Sequence, residues 1–96
     1  MREVEEQIVA LQGCYNTMKK DFKEQKYDLH YLKSSASELL NITSNFKMNE
    51  NLAFSRFDQE ELVKLLADIR NLINAIEKEI EIQTKEEFYT SNNTEI

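Results

Sequence analysis

The side chains of this sequence best suited to reactive chemistry are its single histidine and single cysteine. His30 lies in Leu29-His30-Tyr31-Leu32-Lys33-Ser34-Ser35-Ala36-Ser37-Glu38-Leu39. An exposed imidazole in that setting could accept a phosphoryl group, with Lys33 one turn on supplying positive charge and the small Ser34 and Ser35 letting another protein approach. Cys14 has no second histidine or obvious base to raise its thiolate fraction. No metal or cofactor is expected, because no chelating side chain stands three or four residues after His30. Catalysis is therefore not expected, and His30 is carried forward as an alternative phosphoacceptor only.

The elements that would hold these groups are helical. Val4, Ile8, Leu11, Tyr15, Met18, Phe22, Gln25, Leu29, Leu32, Ala36 and Leu39 alternate in steps of four and three, and only Gln25 among them is not apolar. Five heptads of this kind predict one long helix over about 2–41 with a narrow seam that suits another helix. Glu3, Glu5 and Glu6 favour its start through the helix dipole, and Gly13 is its weakest link, about 1 kcal/mol worse than Ala. Asp21 and Asp28 flank one side of the seam and Lys26 and Lys33 the other. A parallel homodimer would pair Asp21 with Lys26 and Asp28 with Lys33 across chains.

Asparagine, serine and threonine then predict a turn over about 42–57. Asp58 is read as the N-cap of a second helix, about 58–89, with Glu61 completing a capping box and Phe57 and Leu62 a staple. The apolar stripe of that helix (Leu62, Leu65, Leu66, Ile69, Leu72, Ile73, Ile76, Ile80) is wider than one partner requires, which predicts two neighbours. Folding the chain about residue 49 brings the two seams together, with Leu32 near Leu66, Phe22 near Ile76 and Met18 near Ile80. Residues 90–96 are polar and expected to be disordered.

The expected fold is thus all-α: one domain, 1–89, forming an antiparallel helical hairpin of two long helices. The hairpin is expected to complete a four-helix bundle by dimerisation or with a helical partner, since two helices bury too little on their own. The partner surface is placed on Phe54, Phe57, Val63, Leu65 and Leu72. With 18 acidic and 12 basic side chains, the net charge of −6 disfavours nucleic acid and anionic membranes. No apolar run approaches a membrane span, and the acidic start does not read as a signal peptide. The expected location is the cytoplasm, or outside the cell by a route without a cleaved signal.

Two resemblances bear on function. The stretch around His30 resembles the phosphoacceptor helix of histidine phosphotransfer domains, roughly His-x-Leu-Lys-Gly-Ser-Ser-x-x-Leu-Gly, which would make His30 the phosphoacceptor; the two glycine positions are occupied by Ser34 and Leu40. The whole architecture resembles the small helical-hairpin proteins of type VII secretion systems, although Asn51-Leu52-Ala53-Phe54 stands where their Trp-x-Gly turn would be. That likeness implies a helical protein partner, joint export and no enzymatic activity. The reading that follows is a non-enzymatic helix-binding module: a secretion partner, small chaperone or assembly subunit. Histidine phosphotransfer and a parallel homodimeric coiled-coil scaffold are the alternatives.

Overall fold

The computed structural model describes the backbone of residues 3–95 and the side chains of residues 3–86. The described chain is all-helical, with α1 at Glu3–Glu24, α2 at Leu29–Lys47 and α3 at Arg56–Glu95. The expected disordered tail, 90–96, falls within α3 by its backbone as far as Glu95, its side chains lying outside the described residues.

The first correction is to the amino-terminal helix, which does not run unbroken over 2–41. It stops at Glu24 and restarts at Leu29. The break falls at Gln25, the one polar member of the seam, whose φ of 55° is left-handed. Around it the Gln25 N–H donates to the Phe22 carbonyl (3.3 Å) and the Lys26 N–H to the Asp21 carbonyl (3.1 Å), so the end of α1 is a Schellman turn with Gln where Gly is usual. A left-handed Gln costs about 1–2 kcal/mol. Asp28, expected on the rim of a dimer seam, instead caps α2 by accepting from the Tyr31 N–H (3.3 Å). The lysines expected to pair with Asp21 and Asp28 are engaged within the chain: Lys26 lies 3.4 Å from Glu24 and Lys33 3.4 Å from Glu77.

The break turns one seam into two short ones that both face α3. Val4, Ile8 and Leu11 of α1 pack with Leu39 of α2 and with Leu62, Leu65 and Ile69 of α3. Toward the bend, Tyr15, Met18 and Phe22 cover a second layer built on Leu32, Ala36, Leu72 and Ile76. The result is three helices, each packed on the other two, with α2 antiparallel to both neighbours. The two-helix hairpin is therefore replaced by a three-helix arrangement. The wide stripe of α3 does meet two neighbours, but both come from this chain. Each large side chain so buried contributes about 1.5–3 kcal/mol, which is why folding α1 back outweighs a strained turn.

The second connection is shorter than the expected 42–57. α2 continues to Lys47 because Thr43 is fully buried and Phe46 packs on the first core layer, so burial overrides a composition that favours turns. Phe46 meets Phe54 edge to face, centroids 5.3 Å apart, and together with Leu52 they close this end of the core. Asp58 is not the N-cap of α3. Ser55 caps: its Oγ accepts from the Asp58 N–H (3.1 Å), while the Asp58 carboxylate accepts from the Ser55 N–H (2.9 Å). The capping box thus lies three residues earlier than expected.

Candidate functional site

The five residues expected to form a partner surface do not make one. Leu65 and Leu72 are 3% and 6% exposed, because α1 and α2 occupy the side of α3 that a second molecule was expected to cover. Phe54 is half-buried against Phe46. Phe57 and Val63 are exposed, but six residues of helix place them about 120° apart, on opposite flanks of α3. Val63 lines a shallow depression with Lys47, Arg56, Gln59, Glu60 and Lys64; the Phe57 ring is not part of it.

The more coherent surface is a groove of about 540 Å³ between α1 and α2, on the side away from α3. Ala10, Gly13, Cys14 and Thr17 form the α1 wall. Their spacing of three, one and three residues puts all four on one helix face. Tyr27 and Tyr31 form the opposite wall, with ring centroids 5.6 Å apart and about half of each side chain in water. The buried Leu32 and half-buried Met18 lie beneath, and Asp21 and Ser35 supply the polar edge. Eleven residues on from Tyr31, exposed Ile42 continues the same face of α2.

Gly13 gives this groove its significance. It sits in the interior of α1, its φ is not positive, and a Cβ built on it meets nothing within 4 Å. Neither the backbone nor any contact within the chain requires glycine, although glycine in a helix interior costs about 1 kcal/mol relative to Ala. The pattern of small residues and the Tyr27–Tyr31 pair were visible in the sequence. With α1 and α2 read as one rod, however, the two walls stood ~17 residues apart on a single helix and could not face each other.

The opposite seam, between α1 and α3, is polar and fastened. The Gln12 side-chain amide donates to Glu61 (2.7 Å), and Asn16, Lys64 and Asp68 line the same narrow crevice of about 190 Å³. Tyr15 lies at its edge. Burial, and then the nearby Asp68 carboxylate, push its phenol above the usual 10.0.

His30 is the second residue of α2 and exposed, and Cys14 is exposed on the groove wall. Lys33, expected to assist His30, faces Glu77 of α3. Among the described residues no group of three or more His, Cys, Asp or Glu is placed to hold a metal ion, and no helix is long and apolar enough to cross a membrane. No family model, curated protein or solved structure matches the chain.

Proposed function

We propose that this chain is a non-enzymatic helix-binding module whose working surface is the groove between α1 and α2. The observation that carries the reading is Gly13: the chain gives up helix stability at a position where nothing of its own needs the space. A second helix laid along Ala10, Gly13, Cys14 and Thr17 would approach the α1 backbone closely, and the Tyr27 and Tyr31 rings would flank it. Tyrosine suits such a wall because it offers a large rigid face with a polar tip. A fourth helix in this position converts three helices into a four-helix bundle, the architecture in which antiparallel helices commonly close a core. Roles as a secretion partner, small chaperone or assembly subunit all share this one requirement, a partner helix.

The test is to obstruct the groove without touching the core. A photoreactive phenylalanine analogue at Tyr31 is irradiated in cells in the native background and again with Gly13→Leu. The expected result is a discrete adduct with native Gly13 and its loss with Gly13→Leu, while circular dichroism reports equal or higher helix stability for the variant. An adduct indifferent to Gly13→Leu, or no adduct beyond that of the same analogue at Lys78, refutes the reading.

A further inference from the structure

The seam keeps its phase across the bend. Phe22, Gln25 and Leu29 are spaced three and four residues apart, as they would be in a continuous helix, and the same alternation holds on either side from Val4 to Leu39. Nothing covalent enforces the break: residues 25–28 are Gln-Lys-Tyr-Asp, without Pro or Gly, and Gln and Lys are good helix formers. All four side chains are exposed. The turn itself is held in a left-handed conformation at a non-glycine residue and secured by two backbone bonds and the Asp28 cap. Short strained hinges joining an element to the core it covers favour exchange between copies.

We propose that α1 exchanges between two copies of this chain: residues 25–28 straighten, 3–47 becomes one helix, and α1 of each copy seats on α2 and α3 of the other. Every contact that α1 makes in the single chain is then remade between chains. What changes is the bend, where a strained turn and one cap are replaced by ordinary helical hydrogen bonds, set against the lost freedom of two molecules becoming one. Because α1 runs antiparallel to α2, the two long helices run antiparallel, and the dimer contains four helices. The Cys14 side chains of the two copies lie far apart in it, unlike in a parallel coiled coil. The Ala10–Thr17 wall of the groove then comes from one copy and Tyr31 from the other, while Tyr27 moves with the straightened segment.

The full chain is refolded from denaturant at 1 mM and at 10 µM and sized by light scattering, as the native protein, as Gln25→Leu and as Gln25→Gly. The expected result is a dimer fraction that rises with concentration, at least tenfold tighter for Gln25→Leu and at least tenfold weaker for Gln25→Gly. Dimers are then made with Cys14→Ser, Gln7→Cys and Asn41→Cys, spin-labelled and diluted into unlabelled chain, so that the measured distance is within one molecule. Straightening places the labels roughly 50 Å apart, against roughly 20 Å when α1 is folded back. A native chain that stays monomeric at 1 mM, dimers with the short distance, or equal dimerisation by native and Gln25→Gly protein would each overturn the exchange.

Discussion

Ser55 and Asp58 hold each other by two reciprocal hydrogen bonds, 2.9 and 3.1 Å long, and Asp58 is almost wholly buried in doing so. This pair fixes where α3 begins and therefore where its stripe meets α1 and α2. Ser55→Ala is expected to lower stability by about 1 kcal/mol, and Asp58→Ala by about 2 kcal/mol because it removes a buried, charged acceptor of the Ser55 N–H. Urea unfolding followed by circular dichroism measures both.

Gln25→Gly removes the penalty of a left-handed side chain at the end of α1. A gain of up to about 1 kcal/mol is expected, equivalent to roughly 4–8 °C in Tm for a domain of this size. A fall in Tm would show that the Gln25 side chain contributes something its exposure does not suggest.

Gly13→Ala places a methyl group that, beyond the adjacent backbone of α1 itself, meets nothing within 4 Å. It is expected to stabilise the isolated chain by about 1 kcal/mol. Thermal unfolding of the two proteins side by side decides it, and a destabilised variant would undermine the claim that Gly13 answers to something outside the chain.

Thr43 is fully buried and its hydroxyl makes no hydrogen bond. The nearly isosteric Thr43→Val removes an unsatisfied polar atom from the core. A gain of about 1 kcal/mol is expected in urea unfolding.

Tyr15 contributes to the alkaline limb. Its phenol is raised in the folded chain, by burial first and by Asp68 second. The unfolded chain therefore gives up this proton earlier, beginning near pH 10, and stability contributed below that pH is lost as pH climbs toward the folded value. Tyr15→Phe should flatten the decline of Tm above pH 10, and Asp68→Asn should soften it by less.

How much of this was legible beforehand differs residue by residue. Helical class followed from a chain with one glycine and no proline, and the seam positions of α1, α2 and α3 are the ones that pack. The bend was signalled twice, by Gln25 interrupting an apolar series and by Asp28 standing just before Leu29 as a cap. Both signals are weak locally. Helix propensity and heptad phase run straight through residues 25–28, and what decides against them is the wide stripe of α3, a long-range demand that periodicity along one helix does not report. The same omission sent Leu65 and Leu72 to a partner surface when α1 and α2 already cover them. Asp58 is a capping residue, but at N3 and not at the N-cap, because Ser55 and Asp58 each satisfy the local rule and only the hydrogen bonds tell the two positions apart.

The bend at residues 25–28 has a practical corollary. Because none of its four side chains belongs to the core layers, a reporter or flexible spacer spliced between Lys26 and Tyr27 leaves those layers intact, although it borders the Tyr27 wall of the groove, and it removes the option of a straight rod. The molecule thus offers its own locking point, where a few inserted glycines and serines would separate what the folded single chain does from whatever a pair of chains does together.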